Sequence, residues 1–128
     1  MKNIGLREEI LKMSGTDPAL CMKCGKCSAS CPAYDEMEYP PHRFVYMIDQ
    51  GNIAPLLSCT GIYRCLSCYA CVDRCPRGVE PAKLIEAVRV VAERKKEGNR
   101  IKAGGLFEKA GADMPSQAFS AAFRKYTK

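Results

Sequence analysis

Two stretches of this sequence, CMKCGKCSASCP from Cys21 and CLSCYACVDRCP from Cys65, set out thiols in one repeated pattern. Each reads cysteine, two residues, cysteine, two residues, cysteine, three residues, Cys-Pro. No other feature constrains the chain as strongly. Three thiols at this step wrap one corner of a metal cage from a short loop, and the fourth, followed by proline, points away. Structural zinc is a poor match, because paired Cys-x-x-Cys units already complete one tetrahedron. Zinc gives no reason for a third cysteine at the same step or for a trailing Cys-Pro, each occurring twice. A disulfide framework is also a poor match, since the total of nine cysteines is odd. Met1 to Met13 is charged and amphipathic, without the apolar stretch of a secretory signal. No apolar run approaches the length of a membrane span. The expected location is therefore cytoplasmic, where thiols stay reduced and act as ligands.

The formal charge of +6 drops to about +2 if two clusters, each bound by four thiolates, add roughly −2 apiece. The remainder is uneven. Met1 to Ala92 carries 11 Lys/Arg against 10 Asp/Glu, whereas Glu93 to Lys128 carries 9 against 4. A basic tail of this kind suits a solvated face or a docking segment for a protein partner better than a nucleic-acid surface.

Helical periodicity dominates the rest of the chain. Ile4 to Met13 reads as a short amphipathic helix with Leu6, Ile10 and Met13 on one face, stopped by Ser14-Gly15-Thr16-Asp17-Pro18. The two motifs read as loops, and Ala33 to Pro41 as irregular. Pro41 to Gln50 reads as a helix carrying Phe44, Val45, Met47 and Ile48, and Ile53 to Tyr63 as a second helix of the spacer. The strongest helix follows Glu80-Pro81, with Leu84, Ile85, Val88, Val91 and Ala92 in one stripe, Arg94, Lys95 and Lys96 at its end, and Gly98 as its stop. A last helix is expected over Ser116 to Tyr126. The predicted organisation is a two-cluster domain over residues 1–98 and a basic C-terminal extension over 99–128.

In two-cluster ferredoxins the cysteine before proline ligates the other cluster. Carried over here, one [4Fe–4S] cluster takes Cys21, Cys24, Cys27 and Cys75, and the other takes Cys65, Cys68, Cys71 and Cys31. The 33 residues between Cys31 and Cys65 leave room for two helices. With the helix after Cys75-Pro76-Arg77-Gly78-Val79-Glu80-Pro81, they make the chain resemble the α-helical ferredoxin domain rather than a small bacterial ferredoxin. More closely, CGKCSASCP and RCLSCYACVDRCPRGVEP resemble the small iron–sulfur subunit of soluble heterodisulfide reductase, over roughly Asp17 to Val91. That resemblance implies an electron relay between two larger subunits, one with flavin and further clusters and one that reduces the disulfide. In methane-producing archaea the substrate is the mixed disulfide of coenzyme M and coenzyme B. A hydrogenase or formate dehydrogenase stands further upstream in such systems.

The chain shows no Cys-Cys pair, no Gly-x-Gly-x-x-Gly for a dinucleotide, and no nucleophile or acid–base constellation. It is expected to move electrons and to have no catalytic residue of its own. Two rival readings stay open: an iron–sulfur subunit of another flavin dehydrogenase, of the glycolate or glycerol-3-phosphate type, and a free-standing carrier. Cys59 reads as a small buried apolar residue. Cys68 completes a full four-iron set, where the succinate dehydrogenase relatives often lack a cysteine. His42 reads as a surface residue at a helix start. Lys23, Lys26 and Arg74 lie inside the ligand loops, where positive charge raises a cluster's potential. The first centre, with two lysines, is expected to have the higher one. The methionines and the Phe44/Tyr46 region read as core. Leu106, Phe107, Phe119, Phe123 and Tyr126 read either as partner anchors or as residues packed on their own domain.

Overall fold

Proline sets the start of both long spacer and closing helices. Its fixed φ suits a first helical turn, and its missing N–H falls where no intrahelical acceptor exists. In the structure, a computed structural model describing residues 4–94 and 111–126, Pro41 opens α3 (Pro41–Asp49) and Pro81 opens α7 (Pro81–Glu93). The chain divides into two compact units, Met1–Glu93 and Arg94–Lys128.

In the first unit, α1 (Ile4–Ser14) packs along α7, and α7 also receives α3. The interior consists of Ile10, Phe44, Ile48, Ile53, Leu56, Ile62, Leu84, Ile85 and Val88, all fully buried. Each such side chain contributes about 1.5–3 kcal/mol by leaving water. Leu6 and Ile10 face this core as the periodicity predicts, but Met13 is exposed and Leu11 packs inward instead. Arg7 ties α1 to the end of α3, its Nε donating to the carbonyls of Ile48 (3.1 Å) and Asp49 (3.2 Å).

The predicted spacer helix over Ile53 to Tyr63 is two short ones, α4 (Ala54–Ser58) and α5 (Gly61–Arg64). Between them Cys59 is extended, with φ −76° and ψ 147°. The break has a tertiary cause: the Glu38 carboxylate accepts from the backbone N–H groups of Thr60 (3.0 Å) and Gly61 (2.7 Å) and so begins a new helix there. Gly61 permits this approach, since a Cβ at that position would meet Glu38 Oε2 at 3.0 Å. Two further short helices lie inside the motifs expected to be loops, α2 (Lys26–Ala29) and α6 (Ala70–Arg74). Ala33 to Pro40 is irregular apart from one 3₁₀ turn, Tyr34–Glu36, and Pro41 already belongs to α3.

Of the methionines with described side chains, only Met37 and Met47 belong to the core. Met22 and Met114 are exposed, as is Tyr46 beside buried Phe44. The second unit contains α8 (Ser116–Tyr126), on which Phe119 is half-buried. Lys95, Lys96, Gly98, Leu106 and Phe107, and the side chains of Phe123 and Tyr126, lie outside the described residues. The fold is mainly helical, with no β-strand among the described residues. None of the described helices is long and apolar enough to cross a membrane.

Candidate metal centres

The two motifs build two small apolar cavities. The first is lined by Cys21, Cys24 and Cys27 of the first motif and by Cys75 of the second. The second is lined by Cys65, Cys68 and Cys71 of the second motif and by Cys31 of the first. Helices α2 and α6 pack against each other, and buried Cys27 and Cys71 meet Ala82 in one small apolar cluster. The two cavities are thus neighbours.

The motif backbones follow one path. Lys23 (φ 59°) and Ser67 (φ 51°) take the left-handed conformation at equivalent positions. Two residues on, Gly25 (φ 76°) and Tyr69 (φ 62°) take it again and lead into α2 and α6. For glycine this conformation is free of strain. For the other three residues it costs about 1–3 kcal/mol each. Those two reversals turn three cysteines toward one cavity from a seven-residue loop.

Burial pushes the Cys27 and Cys31 thiols above their ordinary value and Cys71 up to about 11. Such thiols become thiolates only when a metal takes the place of the proton. Among the described residues no group of three or more Cys, His, Asp or Glu side chains is placed to hold a single metal ion. The thiols instead ring cavities with no carboxylate in their walls, a donor set suited to a multi-iron cage rather than to a hard cation. The residues present therefore fit [4Fe–4S] clusters.

Side chains from elsewhere brace the loops. Arg89 on α7 donates from Nε to Ile62 O (2.7 Å) and from Nη2 to Cys65 O (3.3 Å), where the second motif begins. Arg77 donates to Leu20 O (3.3 Å), one residue before the first motif. The N–H groups of Lys23 and Val79 point at Cys21 Sγ and Cys75 Sγ, both at 3.4 Å. Lys23 Nζ lies over the Tyr46 ring, 5.1 Å from its centroid. Lys26 and Arg74 share an open groove with Asp73.

His42 is not the plain surface residue its sequence position suggests. It is half-buried, lines the first cavity, and has Nδ1 2.6 Å from Ser28 Oγ. Nothing in the sequence pairs residues 28 and 42. Cys59 lines neither cavity. It is buried, and its Sγ donates to Leu56 O (3.1 Å). Burial, and to a lesser extent the nearby Glu38 carboxylate, hold its thiol above the usual value.

A family described as a 4Fe-4S dicluster domain matches residues 18–79. Fold and site together define a mainly helical iron–sulfur domain that carries 4Fe–4S clusters. Similar curated proteins narrow the class. The C subunit of the ferredoxin:CoB-CoM heterodisulfide reductase of Methanosarcina mazei is 34% identical, over 68% of this chain and 53% of that protein. The C2 subunit of the H(2)/formate:CoB-CoM heterodisulfide,ferredoxin reductase of Methanococcus maripaludis is 32% identical, over 82% of this chain and 58% of that one. The glycolate oxidase iron-sulfur subunit of Escherichia coli is 38% identical, over 59% of this chain and 20% of that one. The chain is an iron–sulfur subunit similar to the C subunits of heterodisulfide reductases. It spans about half the length of the first two relatives.

Proposed function

We propose that the chain relays single electrons through two [4Fe–4S] clusters in a heterodisulfide reductase complex. Cys21, Cys24, Cys27 and Cys75 hold the first, and Cys31, Cys65, Cys68 and Cys71 the second. The electrons pass between a partner that carries flavin and further clusters and a partner that reduces the disulfide, with the mixed disulfide of coenzyme M and coenzyme B as acceptor. The observation that carries this reading is the pair of neighbouring cavities, each ringed by three thiols of one motif and the fourth of the other.

When bound, each cluster would supply a one-electron redox site. The chain's own residues do the rest. The left-handed turns at Lys23, Gly25, Ser67 and Tyr69 aim the thiols. The exchanged fourth cysteines lock the motifs together. Apolar walls keep water from the buried Cys27 and Cys71, and backbone N–H groups directed at Cys21 and Cys75 ease the extra negative charge of reduction.

Anaerobic purification of the native protein, followed by mass spectrometry of what stays bound, tests this reading. A flavin-containing cluster protein together with a protein rich in Cys-Cys-Gly motifs is the expected result. The similarity to a glycolate oxidase iron-sulfur protein favours a second reading, relay to another flavin dehydrogenase. A single dehydrogenase partner would establish that one, and a lone protein of 14.1 kDa a free carrier.

A further inference from the structure

Tyr69 stands where a glycine stands in the other motif. At Gly25 the left-handed turn carries no side chain, and a Cβ built there meets nothing within 4 Å. At Tyr69 the same turn carries a large ring in a conformation that disfavours it (φ 62°). The turn itself does not need that ring, so its use lies in what the ring covers.

Two contacts show what that is. Tyr69 lines the second thiol cavity together with Cys31, Cys65, Cys68 and Cys71. It also lines an open groove against α1 and α7, with Met13, Lys83 and Glu86. The residue shared by the thiol cavity and the open groove is part of the wall between them, while Cys68 is exposed on another side of the same cavity. Tyr69 is 40% exposed, as a residue at the rim of a cavity would be. The two cavities are equally apolar but differ in the charge of the side chains beside them. Arg77 and His42 line the first, whereas no charged side chain lines the second.

We propose that Tyr69 is a shielding residue: its ring covers one side of the second centre, limits the approach of water and oxidants there, and holds that centre's reduction potential below that of the first. This rests on the two-cluster reading above. A thiolate-ligated cluster is anionic and becomes more so on reduction. Water stabilises the more highly charged form, so excluding water disfavours reduction. The first centre has no ring at the equivalent position and has the Arg77 guanidinium in its wall, so it is the more readily reduced of the two.

The test uses the full chain, purified without oxygen, with Tyr69→Phe, Tyr69→Asn and Tyr69→Gly. Asn and Gly tolerate the left-handed turn and remove the ring, so the backbone is spared. The readouts are a redox titration followed by electron paramagnetic resonance, the rate of iron loss in air, and the thermal midpoint. Phe should match the wild type. Asn and Gly should raise one midpoint potential, leave the other in place, and speed the loss of one cluster in air on the order of 10-fold. If both clusters load and these variants leave both potentials and loss rates unchanged, the shielding role is wrong while the two-cluster reading stands. If Asn and Gly weaken both clusters equally as the thermal midpoint falls, the ring is a packing residue only and shields nothing. A wild-type chain that loads a single cluster would overturn the underlying reading, and the inference with it.

Discussion

Ser28 and His42 are joined through a single hydroxyl. Ser28 Oγ accepts from the His42 backbone N–H (3.0 Å) and pairs with the imidazole Nδ1 (2.6 Å). Ser28 is buried and directly follows Cys27, so this clasp fastens the first ligand loop to the start of α3. Ser28→Ala removes both bonds and strands a backbone donor, a loss of about 1–3 kcal/mol. His42→Ala keeps the backbone bond and should cost less. Denaturant unfolding of both variants checks the order, and a reversed order would show that the ring carries the clasp.

Exchange of the fourth cysteines gives a result that pairing within one motif does not. Cys75→Ser should perturb the same paramagnetic signal as Cys21→Ser, and Cys31→Ser the same signal as Cys65→Ser. Loss of one cluster should take iron from about eight per chain toward four. If Cys75→Ser instead matched Cys65→Ser, each motif would be holding its own cluster.

Much of this arrangement was legible in the residues, for physical reasons that can be named. Pro41 and Pro81 mark helix starts locally, and Phe44 with Ile48, or Leu84 with Val88, mark buried faces at helical spacing. Those signals depend only on neighbours in sequence. The break at Cys59 was not legible, because it depends on Glu38, more than twenty residues away in sequence. The role of His42 depends on Ser28 in the same way. The left-handed turns at Lys23, Ser67 and Tyr69 run against residue preference. Their one trace in the sequence is that Tyr69 aligns with Gly25, which shows only when the repeats are laid together. The cysteine positions were explicit, whereas the side chains that tune and brace them come from distant helices.

Cys59 provides an internal contrast to the eight motif thiols. Cys59→Ala should leave iron content and both redox signals intact, because Cys59 lines neither cavity. Its raised pKa means a smaller thiolate fraction at neutral pH, so folded protein should resist alkylation there, with reaction rising only above the usual thiol range. Peptide mapping after iodoacetamide treatment at several pH values measures this. Labelling of folded, cluster-loaded protein at pH 7 would contradict the buried placement.

Charge near the first centre should be measurable as potential. Lys23 sits in its ligand loop with Nζ over Tyr46, and Lys26 follows Gly25. Lys23→Gln combined with Lys26→Gln should lower the higher of the two midpoints, since each ammonium favours the reduced, more negative cluster. A titration in which neither midpoint falls would assign those lysines to solubility alone.

Glu38 holds the start of α5 through three acceptor contacts, to the N–H groups of Thr60 and Gly61 and to the Thr60 hydroxyl (2.5 Å). Those hydrogen bonds, led by the one from the Thr60 side chain, lower its pKa from 4.5 to about 2. A carboxylate whose folded pKa is depressed stabilises the fold above its unfolded pKa and loses that contribution as pH falls toward the folded one. The window for Glu38 therefore runs from 4.5 down to about 2. Glu38→Gln keeps the shape but removes the charge and one acceptor oxygen, so at pH 7 it should unfold at lower denaturant concentration than the wild type. The difference should hold from pH 8 to pH 5, then shrink as the wild-type carboxylate is protonated. Circular dichroism across a denaturant series at each pH reads it out. A difference already shrinking between pH 7 and pH 5 would mean that Glu38 titrates near its ordinary value and that the start of α5 is held by something other than its charge.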